Sequence, residues 1–124
     1  MIFVDTNALL SVLLPGHGDD HRAVVERARD LGGLVVCEAV LAETLRVLEN
    51  VYGMGRRDAA VVVRDILGTE GIDAWEPFLA DEALRLMAAS PKLSIVDSIL
   101  AVRARLGHAV LTFDRGLARE IERD

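Results

Sequence analysis

Met1-Ile2-Phe3-Val4-Asp5, followed at once by Thr6-Asn7-Ala8-Leu9-Leu10-Ser11-Val12-Leu13-Leu14 and stopped by Pro15, is the stretch that decides the fold. The first five residues read as a short buried strand ending on an acid. Thr6 to Leu14 then reads as a helix, because its apolar residues fall on one side and proline cannot continue it. A strand that hands directly to a helix is the opening of an α/β layer. The rest of the chain repeats the handover.

Pro15-Gly16-His17-Gly18-Asp19-Asp20 reads as a turn. A helix from about Asp20 to Leu31 carries Ala23, Val24, Ala28 and Leu31 on one side and ends at Gly32-Gly33. Leu34-Val35-Val36-Cys37 follows as a second buried strand. Residues 38–52 form a helix with a broad apolar face that includes Leu41, Leu45, Leu48 and Tyr52. Gly53 and Gly55 break it, residues 56–67 resume as helix, and Gly68 closes that one. Ile72 to Trp75 is a short strand, and Glu76 to Ala89 is helical with Pro77 suited to its first turn. Ser94 opens a helix to Leu106, Ala109 to Phe113 is a strand, and Asp114 starts the last helix. Apolar strands alternating with amphipathic helices imply a parallel sheet covered on both faces.

Four acids stand out within this order. Asp5 and Asp114 end strands, Glu43 lies early in the helix after the second strand, and Asp97 lies in the first turn of the helix that leads back to the last strand. In right-handed βαβ units such positions face the carboxyl rim of the sheet, where open α/β sheets bind ligands. Several carboxylates on one rim, with no lysine or arginine spaced to neutralise them all, call for a divalent metal and point to metal-assisted phosphodiester chemistry. Each acid also has a plain structural explanation. Asp5 and Asp114 fit as helix N-caps, and Ser94-x-x-Asp97 resembles a capping box. Asp97 resists that explanation best. Leu100, Ala101 and Ala104 share its face, and Ile95, Ile99, Val102 and Leu106 cover another, so its helix is apolar almost all round and a carboxylate there needs a partner.

At 124 residues the chain is one domain, long enough for a real core. Its hydrophobic content of 52% and mean hydropathy of +0.30 leave a surplus that a second copy or a partner could cover. No apolar run reaches the roughly 20 residues of a membrane helix, and the apolar start lacks a basic leader region, so a cytoplasmic protein is expected. One cysteine, Cys37, excludes a disulfide framework and a zinc cluster. A net charge of −6 argues against a binder that works by general attraction to nucleic acid. It leaves room for a nuclease whose acids hold metal. His17 and His21 flank a glycine turn with no partner motif near them, and Tyr52 and Trp75 read as core or contact residues.

Phe3-Val4-Asp5-Thr6-Asn7, Leu41-Ala42-Glu43-Thr44, Asp97-Ser98-Ile99-Leu100-Ala101 and Leu111-Thr112-Phe113-Asp114 together resemble the four acidic motifs of the PIN-domain ribonucleases. In length and motif order the chain is similar to the VapC toxins of type II toxin–antitoxin pairs. The resemblance covers nearly the whole of residues 1–124 and implies a single PIN-like domain, a three-layer α/β/α fold with a parallel sheet of four to five short strands. It implies an endoribonuclease dependent on Mg²⁺ or Mn²⁺, usually dimeric, held inactive by a small antitoxin protein. Asp5, Glu43, Asp97 and Asp114 become its acidic, metal-holding set, with Asp5 and Asp97 expected to supply the principal contacts. Thr6, Asn7 and Thr112 resemble positions that support such a site. Arg46 and Arg115 are candidates to hold the RNA backbone. Where some members carry a further acid, this chain has Arg115 and Gly116. Two other readings use the same acids: a phospho-acceptor or phosphatase-like domain with a Mg²⁺ pocket, and a PIN module that binds without cutting. The first wants a second aspartate where Asn7 stands, or a lysine after a late strand. The sole lysine, Lys92, precedes a helix.

Overall fold

The computed structural model describes residues 1–14 and 16–123. The helix stop assigned to Pro15 lies outside them. The elements run β1 (Ile2–Phe3), α1 (Thr6–Leu13), α2 (Asp19–Gly32), β2 (Leu34–Val36), α3 (Glu38–Asn50), α4 (Arg56–Leu67), β3 (Ile72–Ala74), α5 (Pro77–Ala89), α6 (Ile95–Arg105) and α7 (Arg115–Glu122). The mixed α/β architecture with a parallel sheet is the one the strand-to-helix pattern predicts.

Among the described residues the sheet has three strands, in the order β1-β2-β3, all parallel. Ile2 stands opposite Leu34 and Leu34 opposite Ile72; Phe3, Val35 and Asp73 form the next row. Since neighbours in register share a face, Leu34, Val36, Ile72 and Ala74 point to one side, and all are buried there. On the other side Val35 is buried, but Phe3 and Trp75 are each 55% exposed, their rings 5.4 Å apart. The helical cover expected on both faces is thin on this one.

The four-to-five-strand expectation is corrected at Ala109 to Phe113, which pairs with no strand. The chain leaves α6 at Gly107, whose φ of +96° suits glycine alone. It then runs through the solvent, with Leu111 89% and Phe113 97% exposed. The apolar alternation of this stretch records an affinity for burial without naming what buries it, and the outer edge of β1 stays open.

The core lies between the sealed sheet face and the helices. Leu9 and Leu10 of α1, Leu41, Leu45 and Leu48 of α3, Ala59 and Val63 of α4, Ala83, Leu84 and Met87 of α5, and Val102 of α6 meet there. Arg64 donates to Asp81 at 2.7 Å and so ties α4 to α5, while Arg85 donates to the same carboxylate at 3.0 Å from within α5. Arg56 donates to the carbonyl oxygens of Leu93 (2.6 Å) and Pro91 (3.2 Å), fixing the loop that precedes α6 to the start of α4. This makes Arg56 a structural tie, whereas Arg57 beside it is exposed.

Candidate active site at the strand-to-helix junctions

Each of the four acids sits at or near the start of a helix, and two of them cap one. Asp5 is the N-cap of α1 in extended backbone, and its Oδ1 accepts from the Ala8 N–H at 2.9 Å. Asp114 caps α7 in the same way, accepting from Leu117 N–H at 2.8 Å. In both cases one carboxylate oxygen satisfies an orphan helix donor, and the other is not used by the cap. The Asp114 N–H in turn donates to Thr112 Oγ1 at 3.0 Å, so Thr112 shapes the turn that presents Asp114. Thr6 is buried and Asn7 exposed.

Asp97 is half-buried in the first turn of α6. Its own N–H donates to Ser94 Oγ at 3.1 Å, which is half of the expected capping box. The reciprocal half is absent, since the Asp97 carboxylate accepts no hydrogen bond from the Ser94 N–H. That carboxylate has no hydrogen bond or ion pair among the described residues, an unusual state for an acid on a largely apolar helix. Glu43 is exposed on α3 and lines a cleft of about 510 Å³ together with Arg46, Glu49, Arg56 and Ser94, Ile95 and Val96 of the α6 start. The turn that bears Asp97 therefore closes one wall of the cleft that bears Glu43. Asp5 opens instead onto a separate cleft of about 380 Å³, lined also by Asn7, Ser11, His17 and His21. Arg115, the first residue of α7, is exposed beside Asp114.

The last turn of α6 is tied to the residues that follow β2 and β3. Arg103 donates to Glu38, which follows β2, at 2.5 Å, and to Glu76, which follows β3, at 3.1 Å. Asp97 lies six residues back, roughly 9 Å along the axis at 1.5 Å per residue. The physical reason is an arginine that no acid on its own helix can satisfy: positions three and four residues to either side of it are Leu100, Leu106, Ile99 and Gly107. Hydrogen bonding to Glu76, and then the field of Glu38, raise its hold on the proton further. That absence of a local partner was the readable signal for a long-range clasp, and the sequence reading passed over it.

Four hard oxygen donors suit Mg²⁺ or Mn²⁺ in kind. In position they do not: among the described residues no group of three or more His, Cys, Asp or Glu is placed to hold an ion. The structure brings Glu43 next to the start of α6 and keeps Asp5 and Asp114 occupied at their caps. No coordination geometry follows from this arrangement.

The order of elements, the acids at four strand-to-helix or loop-to-helix junctions, and the parallel sheet agree with one family. The PIN domain profile matches residues 2–121. The chain belongs to the PIN domain family. PIN domains are generally nuclease domains, hydrolases that use divalent metals such as Mg²⁺, which is the coarse class to which this chain is assigned. No curated protein and no solved structure gave a significant match. Among the described residues no helix is long and apolar enough to cross a membrane.

Two residues gain weight that the sequence reading withheld. His17 is in the Asp5 cleft, and Tyr52, expected in the core or at a dimer contact, is 46% exposed and bonded to it. The spacing of 35 residues between them hid the pair.

Proposed function

We propose that this PIN domain is a Mg²⁺-dependent endoribonuclease, with Mn²⁺ as a substitute, that hydrolyses RNA phosphodiester bonds as the toxin of a type II toxin–antitoxin pair. Family membership supports the nuclease class. The observation that carries the reading to a site is the Asp97 carboxylate, half-buried and without a partner among the described residues, in the turn whose preceding residues Ser94, Ile95 and Val96 line the Glu43 cleft. Among the described residues neither a hydrogen bond nor an ion pair uses this carboxylate, which leaves it available to a ligand. On this reading Asp5, Glu43, Asp97 and Asp114 are the acids on which cleavage depends, and Thr6, Asn7 and Thr112 shape their turns. Arg46, in the Glu43 cleft, and Arg115, beside Asp114, hold the RNA backbone. Water oxygen forms the new bond to phosphorus, and the bond to the leaving ribose oxygen breaks.

A cognate antitoxin, a homodimer and a cytoplasmic setting complete the proposal. The exposed Phe3, Trp75, Leu111 and Phe113 supply apolar surface for a protein partner. The test is cleavage of a panel of structured RNAs with Mg²⁺, with Mn²⁺ and with EDTA. Cleavage is expected with either metal and not with the chelator. The Asp97→Asn protein, folded by circular dichroism, is expected to lose more than about 100-fold of the rate, the upper end seen for groups one step removed from a metal. Full activity in that variant would overturn the assignment. Acid-labile phosphorylation without RNA cleavage would favour a phospho-acceptor instead.

A further inference from the structure

We infer that the cleft beside Asp5 takes a ribose of the RNA, and that His17 reads its 2′-hydroxyl and so sets the preference for RNA over DNA. This rests on the nuclease reading above and adds a specificity-determining residue to it. One imidazole ties three segments together here. His17 comes from the loop between α1 and α2. Its Nδ1 is 2.5 Å from Tyr52 Oη, just past α3, and its Nε2 is 3.4 Å from Asn7 Oδ1 in the first turn of α1. In the tautomer that pairs Nε2–H with Asn7 Oδ1, which only accepts, Nδ1 accepts from the Tyr52 hydroxyl. The two bonds are unequal. The short one anchors the ring. The long one is at the weak end of the hydrogen-bond range, so Nε2–H is a donor that a ligand oxygen can take over at little cost.

The walls of the cleft choose the ligand. Ser11 lines it, but its hydroxyl is committed to Ala8 O at 2.7 Å, so it offers no donor. Asp5 also lines it, and its carboxylate only accepts. A ribose hydroxyl suits this mix of one donor and two acceptors. It accepts from His17 Nε2–H and gives its own proton to Asn7 Oδ1 or to the Asp5 carboxylate. The ribose 2′-hydroxyl is both donor and acceptor and is the group by which proteins tell RNA from DNA. Val25 gives the cleft an apolar wall for the sugar carbons, and its volume of about 380 Å³ falls within the usual size of small-molecule sites.

The experiment compares an RNA oligonucleotide that the wild type cuts with versions carrying a single 2′-deoxy substitution at each position near the cut. One position is expected to cost the wild type about 5- to 10-fold in kcat/KM, the worth of one hydrogen bond. His17→Ala should cut the all-ribose and that deoxy substrate equally, and Tyr52→Phe should lose part of the discrimination. The same comparison is made without turnover, by fluorescence anisotropy of the oligonucleotides on wild-type and His17→Ala protein in EDTA. If the wild type cleaves RNA and His17→Ala keeps its full ribose discrimination, or if no 2′-deoxy position matters, the ribose assignment fails alone. If no RNA is cleaved with either metal, yet ribose preference in binding is lost in His17→Ala, the ribose assignment stands and the nuclease reading fails. A protein that shows no ribose preference in cleavage or binding overturns the inference.

Discussion

Thr44 stands next to Glu43 in α3, fully buried, with an Oγ1 that finds no hydrogen-bond partner. An orphaned buried hydroxyl costs stability, while an apolar group of the same shape in its place can be neutral or favourable. Thr44→Val is therefore expected to raise the unfolding free energy by about 1 kcal/mol, read as a higher urea midpoint at unchanged slope. Its effect on cleavage bears on Glu43. If the valine protein is more stable and equally active, the hydroxyl is a residue of packing history; if it is more stable and slower, Thr44 sets the pose of its neighbour. The residue scale is also where the sequence spoke most clearly about two acids. Asp5 and Asp114 stand at strand-to-helix and loop-to-helix junctions, where capping is expected, and capping is what their first oxygens do. The apolar residues around Asp97 mark it out, and it is half-buried with no hydrogen bond or ion pair to its carboxylate among the described residues.

Helices were legible because their stops are local. Gly32-Gly33 ends α2, Gly68 ends α4, Pro77 begins α5 and Ser94 caps α6, each within a residue or two of the expected place. What joins the helices was less legible, because ion pairs between distant elements leave no spacing to read. The tie between α4 and α5 is an example. Asp81 takes hydrogen bonds from Arg64 and then Arg85, and its carboxyl is held below its ordinary value of 3.8, chiefly by the Arg64 bond and against a smaller opposing effect of burial. A lowered native value means the stabilisation is complete above the unfolded value and disappears as pH falls through the native one. Asp81→Asn should thus lower the melting temperature at pH 7, and the gap to wild type should close below about pH 3.8. Its side chain is 44% exposed, so solvent screening keeps the effect small. A gap that persists unchanged at pH 2.5 would show that packing, not charge, is what the asparagine disturbs. Ala109 to Phe113 marks the other limit. Its strand-like pattern was plain, yet pairing depends on an edge elsewhere in the molecule, and here it has none.

At the scale of the molecule, the surplus of apolar residues in the sequence has become visible surface: Phe3, Trp75, Phe78, Leu111 and Phe113 are all more than half exposed. Phe3 and Trp75 touch, and an apolar patch that is contiguous marks an interaction surface. The wild-type protein is expected to elute as a dimer at micromolar concentration, and Phe113→Asp as a monomer, by size-exclusion chromatography with light scattering. A monomeric wild type would assign this surface to another partner. The short first strand has a consequence in time as well as in space. Ile2 and Phe3 are made 32 residues before their partners Leu34 and Val35, and among the described residues no other strand pairs with them. The corner that carries Asp5 therefore cannot be fixed while the first helix is emerging. Arg103, which pins α6 to Glu38 and Glu76, arrives later still.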